Sequence, residues 1–301
     1  MMLLCIWLIF ISACMHAGWN LICKSRSPSA AFFLIATTAS ITAMIPIYLY
    51  FMPVIIRIPP AVWILLVVTG AVQACYYISL GNAYRLNEIS IAYPMARSLP
   101  VMLVPIFTTI LCMGHPLGVI AIGGMLLISA GCIVLPLRAF SNLKVSAYLG
   151  KGFFFIIGAG ISVTGYSIID SEALKLLNAA EITGSHIHSA LIYIALENVF
   201  IELFLIPYVM GHRGERETFW RIKRTSLRYP AISGVICTAG YTLVLGAMML
   251  VTNVSYVVAF RQISIFLGAI LGIIIFKEKL TVPKAVGLGL IFAGLVLIAL
   301  F

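Results

Sequence analysis

The stretch 255–294 reads SYVVAFRQISIFLGAILGIIIFKEKLTVPKAVGLGLIFAG. It belongs to two apolar runs, 254–276 and 281–300, divided by a short connection rich in lysine. The hydrocarbon layer of a bilayer needs about 20 apolar residues per helical crossing, so each run matches one span. Inside the first of them stands a lone cation, Arg261.

Outward from this stretch the pattern recurs, with further runs at 3–23, 29–52, 61–84, 90–113, 117–137, 150–171, 187–210 and 229–250. None shows the apolar–polar alternation of a membrane barrel strand, and backbone groups in lipid must find their partners within the segment. The sequence therefore predicts an all-α integral membrane protein with ten transmembrane helices. Composition agrees: of 301 residues 62% are apolar and 9% charged, with a mean hydropathy of +1.13. A soluble domain carries roughly 25% charged residues, so a water-soluble enzyme and any large extramembrane domain are excluded. The net charge of +10 sits mainly in connections, where the lipid bilayer is the expected partner and nucleic acid is not. The first run lacks a basic start and an Ala-x-Ala site, so it reads as a retained helix and not a signal peptide. Seven cysteines lie in apolar runs without a C-x-x-C pair and read as small core hydrophobes, with no metal and no cofactor expected.

Connections of odd number hold 15 of the lysines and arginines and those of even number two, Arg57 and Lys175. By the positive-inside rule the odd connections are cytoplasmic and both termini lie outside. The most basic connection, 211–228, reads as a solvated linker between the seventh and eighth helices.

Sliding the chain on itself by 164 residues aligns 70–137 with 234–301 without a gap, and 11 of 68 positions are identical. The matches include Gly70 with Gly234, Tyr77 with Tyr241, Gly123 with Gly287 and Arg97 with Arg261. A weaker echo links Ala17, Gly18, Trp19 and Asn20 with Thr164, Gly165, Tyr166 and Ser167. Five helices per copy is an odd number, so the second copy must be inverted relative to the first. The expected domains are a first repeat at 1–137, a linker at 138–149 and a second repeat at 150–301.

Arg97 and Arg261 each stand seven residues into their runs, about 10 Å deep at 1.5 Å per residue. Inversion brings them in from opposite faces, so one arginine is expected to be reachable from each side of the bilayer. A mid-helix arginine costs about 2.5–3.5 kcal/mol on insertion scales and marks either substrate binding or a packing tie to carbonyls or to an acid such as Asp170 or Glu197. Glu197 stands near mid-bilayer beside Asn198. A carboxyl taken out of water suits proton exchange, and the alternative is a salt bridge to one of the arginines. Pro94 and Pro100 flank Arg97 and are expected to disturb the fourth helix and free carbonyls there. Ser264, Gly268 and Gly272 in the ninth helix, Gly124 and Gly131 in the fifth, and Gly287 and Gly294 in the tenth are the expected packing seams.

HAGWNLICK at 16–24, AYPMARSLP at 92–100 and the opening stretch with its Glu278, Lys279, Leu280 element resemble the EamA-type carriers of the drug/metabolite transporter superfamily. That resemblance implies two inverted five-helix EamA repeats and a substrate drawn from amino acids, nucleotide sugars, phosphorylated sugars, choline and drugs. The first-helix motif with Tyr-Pro-x-x-Arg is similar to a subset found near phosphonate genes. Members are usually drawn with both termini in the cytoplasm, opposite to the loop charges. No phosphate-binding G-x-x-x-x-G-K-[ST] loop occurs, nor G-x-S-x-G or H-E-x-x-H. The expected function is secondary active transport of a small polar metabolite, anionic or zwitterionic, across the plasma (inner) membrane, driven by proton coupling or exchange. Arg97, Arg261, Tyr93, His16, Trp19, Asn20 and Tyr166 are the expected substrate-binding residues, and Glu197 and Asp170 the expected proton-coupling pair. A monomer or homodimer is expected; a membrane scaffold and an intramembrane enzyme are the alternatives.

Overall fold

In the computed structural model, residues 2–26, 28–86, 89–137, 152–277 and 279–300 are described. The expected linker 138–149 and Glu278 lie outside the described residues. The apolar runs become the helices α1 (Met2–Arg26), α2 (Ala30–Ala43), α3 (Ile45–Ile55), α4 (Pro60–Leu86), α5 (Ile89–Ile110), α6 (Val119–Val134), α7 (Phe153–Ala179) and α8 (His186–Gly211). They continue with α9 (Arg213–Thr225), α10 (Arg228–Met248), α11 (Val254–Phe260), α12 (Ile263–Phe276) and α13 (Val282–Leu300).

Among the described residues, seven helical segments are long and apolar enough to cross a membrane, and α2 with α3 makes an eighth as one bent pair. Pro94–Ile110 and Val119–Val134 are shorter apolar helices. Leu3, Trp7, Leu49, Val119 and Phe154 stand exposed around the outside, an arrangement that only lipid tolerates in such number. The chain is a multi-pass membrane protein.

Local chemistry sets the helix ends. Ser29 caps α2 by accepting from Phe32 N at 3.3 Å, and Ser185 caps α8 by accepting from His188 N at 3.3 Å. The 29–52 run bends by 68° at Met44, where Pro46 follows as the second residue of α3 and has no N–H to continue the ladder. Asn253 caps α11 through Ser255 N at 2.9 Å while its amide reaches His115 O at 3.0 Å, tying the loop after α5 to the start of α11.

Pro94 and Pro100 do not break the helix: α5 runs through both and through Pro105, although none of the three has an N–H to offer the carbonyl four residues before it. The interruption falls instead at Arg261 and Gln262, between α11 and α12, where no proline stands. There Ser264 N bonds Arg261 O at 3.1 Å and Ile265 N bonds Gln262 O at 2.9 Å, a tight three-residue spacing in place of the α pattern. The 211–228 connection keeps most of its residues exposed, as a solvated linker does, but its middle is the helix α9 with Glu215 buried.

The packing partners come in matched sets. α4 packs on α7 as α10 packs on α1, α4 on α8 as α10 on α2, and α5 on α7 as α12 on α1, while α6 packs on α13. At Gly70 in α4 a Cβ would lie 2.5 Å from Phe200 Cβ, and at Gly234 in α10 it would strike the Ala36 carbonyl. Ala36 and Phe200 are themselves 164 residues apart, the same offset as the two glycines. The α6–α13 seam is backbone on backbone: a Cβ at Gly131 would sit 2.7 Å from Gly287 O, and one at Gly287 2.9 Å from Gly131 O. Gly268 meets nothing within 4 Å, so no tight seam forms at its position in α12. Cys14, Cys75 and Cys112 are exposed and not in the core, whereas Cys5, Cys23 and Cys132 are buried there as expected.

Candidate functional site

One turn of α1 carries His16 and Trp19 on the same side, and α4 carries Gln73, Tyr76 and Tyr77 opposite. Together with Arg97 from α5, Tyr166 from α7, Tyr241 from α10 and Arg261 from the α11–α12 break, they line a small cavity of about 30 Å³. The two arginines do not stand at separate mouths as the sequence suggests; they converge here, 5% and 4% exposed. Arg97 Nη2 donates to the backbone oxygen of Arg261 and to Ser264 Oγ, each at 3.4 Å. The same oxygen accepts from Ser264 Oγ at 2.7 Å. The side chain of Arg97, anchored on α5, thus meets the carbonyl that the helix break exposes.

Arg261 is held differently. Its Cζ lies 5.1 Å from the ring centroid of Tyr241, within range of the ring's negative face. Its Nε and Nη1 are buried and meet no acceptor among the described residues, and His16 Nε2 is likewise without a partner. Buried polar atoms are almost always satisfied, so these atoms have hydrogen-bonding capacity to offer a polar partner. The walls are aromatic: Tyr166 packs edge-on against Tyr241 and against Tyr76, each at 5.8 Å, and Phe33 stacks on Tyr77 at 4.7 Å.

Next to the cavity lies an acidic cluster, fully buried. Asp170 accepts from Thr69 Oγ1 at 2.6 Å and Tyr193 OH at 2.9 Å on one oxygen, and from Tyr241 OH at 2.5 Å on the other. Glu197 accepts from Gln73 Nε2 on Oε1, while its Oε2 has no hydrogen-bond partner among the described residues. These contacts come from neutral donors, so the expected salt bridge from Glu197 to an arginine is not what engages its Oε1. Tyr241 joins the two regions, its ring beneath Arg261 and its hydroxyl on Asp170.

Of the residues singled out from sequence, Arg97, Arg261, His16, Trp19 and Tyr166 line the cavity, and Glu197 and Asp170 adjoin it. Asn20 is not among the lining residues; its amide is buried one turn further along α1 without a partner among the described residues. The side chain of Tyr93 lies outside the described residues. Sequence reasoning missed Gln73, Tyr76 and Tyr241. For Tyr241 a signal was present, since its match with Tyr77 is one of the four telling pairs of the repeat.

The profile of the EamA-like transporter family matches residues 150–300. No curated protein matches the chain. One solved crystal structure superposes with a TM-score of 0.66 over 98% of this chain and 97% of its own, at 14% identity, a likeness of fold alone.

Proposed function

The chain belongs to the EamA-like transporter family, and from that membership we propose that it is a secondary active transporter of a small anionic or zwitterionic metabolite. The observation that carries the reading is the convergence of Arg97 and Arg261 on one buried cavity, with Arg261 Nε and Nη1 left without a protein acceptor among the described residues. A guanidinium fork donates to two oxygens at once, which suits a carboxylate, phosphate or phosphonate. Tyr166, Trp19 and His16 supply the wall and a further polar contact, with Asn20 and Tyr93 assigned to the same binding region from sequence.

The architecture in this reading is ten transmembrane helices in two inverted five-helix repeats, 1–137 and 150–301. The matched helix pairings and the 164-residue offset shared by Gly70 with Gly234 and Ala36 with Phe200 support it. Alternating access then consists of the two repeats rocking about the glycine seam of α6 and α13 while the cavity stays near the middle. No covalent chemistry is required of any residue, so the protein is a carrier and not an enzyme.

Coupling is assigned to Glu197 and Asp170. A proton arriving on this pair alters what Tyr241 OH bonds to, and Tyr241 is the ring on which Arg261 rests. Proton and substrate are thereby linked through one side chain. Counterflow in proteoliposomes is the test: preloaded unlabelled anion or zwitterion should accelerate uptake of its labelled form, and a pH gradient should drive accumulation. Absence of counterflow with every acidic metabolite, alongside robust counterflow of a permanent cation, would overturn the assignment.

A further inference from the structure

The helix α9 presents two contrasting faces. Glu215, Phe219 and Ile222 recur at three- and four-residue steps and turn toward the protein. Glu215 Oε2 accepts from Ala31 N at the start of α2 at 2.9 Å, and Arg85 Nη2 at the end of α4 lies 3.6 Å from its other oxygen. On the opposite face Arg213, Arg216, Trp220, Lys223 and Arg224 are all exposed, Trp220 by 45%. Lys223 Nζ lies 5.0 Å from the Trp220 ring centroid, and Glu217 neutralises only Arg213, at 2.9 Å.

Position decides what such a face meets. A single residue, His212, separates α9 from the end of α8, and two, Ser226 and Leu227, separate it from the start of α10. Both neighbours cross the membrane, so α9, about 20 Å long, is held at the level of the head groups. Its apolar face is already covered by α2 and α8. What remains is a cationic face with a tryptophan at its centre, at the depth where anionic head groups concentrate.

We propose that this face of α9 binds anionic phospholipid head groups of the leaflet it borders. Charge complementarity favours that occupant: Arg216, Lys223 and Arg224 form no ion pair among the described residues, Arg216 Nη1 reaching only the neutral backbone oxygen of Met210 at 3.5 Å, and a phosphodiester offers the negative charge that balances them. Bound lipid presses α9 onto the bundle, and through Glu215 it secures the start of α2 and the end of α4, the helix that brings Gln73, Tyr76 and Tyr77 to the cavity. The inference requires only that the chain crosses a membrane, and stands apart from the assignment of substrate.

The test uses the full chain in nanodiscs of phosphatidylcholine with or without phosphatidylglycerol. Phosphatidylglycerol should raise the Tm by about 2–4 °C at low salt, and the gain should fade at about 0.5 M salt. A variant combining Arg216→Gln, Lys223→Gln and Arg224→Gln should keep the wild-type Tm in pure phosphatidylcholine and lose most of that gain. An independent readout covers the case of a variant that does not fold: brominated phosphatidylglycerol should quench the Trp220 component, obtained against Trp220→Phe, more than brominated phosphatidylcholine does. An equal gain in the triple variant, equal quenching by the two brominated lipids, or stabilisation of the wild type by inorganic phosphate without anionic lipid would each overturn the proposal.

Discussion

Arg97 Nη2 lies 3.4 Å from the backbone oxygen of Arg261, so two residues that occupy equivalent places in a 164-residue repeat touch across the protein. The contact is unequal. Arg97 directs one nitrogen to that carbonyl and to Ser264, whereas the guanidinium of Arg261 rests on Tyr241 with Nε and Nη1 facing no acceptor among the described residues. Arg97 thereby braces the break between α11 and α12, and in the proposed reading Arg261 is the fork offered to the substrate.

Tyr241→Phe keeps the ring beneath Arg261 and deletes the hydroxyl that Asp170 accepts from. Loss of one donor to a buried carboxyl costs about 1–3 kcal/mol, so the variant should unfold at lower temperature yet still bind ligand. Its transport should respond to pH differently from the wild type. A pH profile of uptake identical to the wild type would remove Tyr241 from the coupling path.

Glu197→Gln retains a side-chain oxygen for Gln73 but has no proton to exchange. Uptake driven by a pH gradient should disappear while counterflow, which needs no net proton movement, persists. Proton-driven uptake that continues unchanged would eliminate Glu197 as the carrier of the proton.

The glycine seam makes a packing prediction with its own control. A Cβ at Gly131 or Gly287 falls within 2.7–2.9 Å of the opposite backbone oxygen, so Gly131→Ala and Gly287→Ala should each destabilise by about 1–3 kcal/mol. Gly268→Ala meets open space and should be neutral or slightly stabilising. Thermal unfolding in detergent compares the three, and equal Tm values would mean that the seam yields at no cost.

Topology supplies a further prediction. From fifteen cations in odd-numbered connections against two in even-numbered ones, the C-terminus is expected outside the cytoplasm. A C-terminal reporter pair, one active only in the cytoplasm and one only outside it, decides the question. Strong cytoplasmic signal would show that the usual orientation of the family overrides the loop charges.

Hydropathy made most spans legible, because a crossing needs a run of fixed length whatever its neighbours are: among the described residues seven of the ten expected runs are long and apolar enough to cross, and the bent pair α2 and α3 makes an eighth. Breaks within spans were not legible in the same way. Pro94 and Pro100 pointed to α5, yet α5 absorbs them, and the interruption sits at Arg261, whose backbone oxygen accepts from both Ser264 and Arg97. The Arg97 contact is a tertiary event with no local signature. α9 was passed over because its charges dominate the composition, although Glu215, Phe219 and Ile222 carry a helical period. Within the site, charged residues announced themselves by their cost in lipid, which is why Arg97, Arg261, Asp170 and Glu197 stood out. Gln73 and Tyr76 carry no such cost and became visible only when α4 brought them to the cavity, and Tyr241 was signalled only by its match with Tyr77.

The central claim is that Arg261 and Arg97 receive an acidic group, and ligand-induced thermal stabilisation of the wild type, Arg97→Lys and Arg261→Lys measures it most directly. The ligands are carboxylates, phosphates and phosphonates, zwitterions and permanent cations at equal concentration. The account predicts that an anion or zwitterion stabilises the wild type, and that lysine, which keeps the charge but loses the fork, weakens binding about 10–100-fold at position 261 and less at 97. A permanent cation without an acidic group as best ligand, or wild-type binding in both variants, would contradict it.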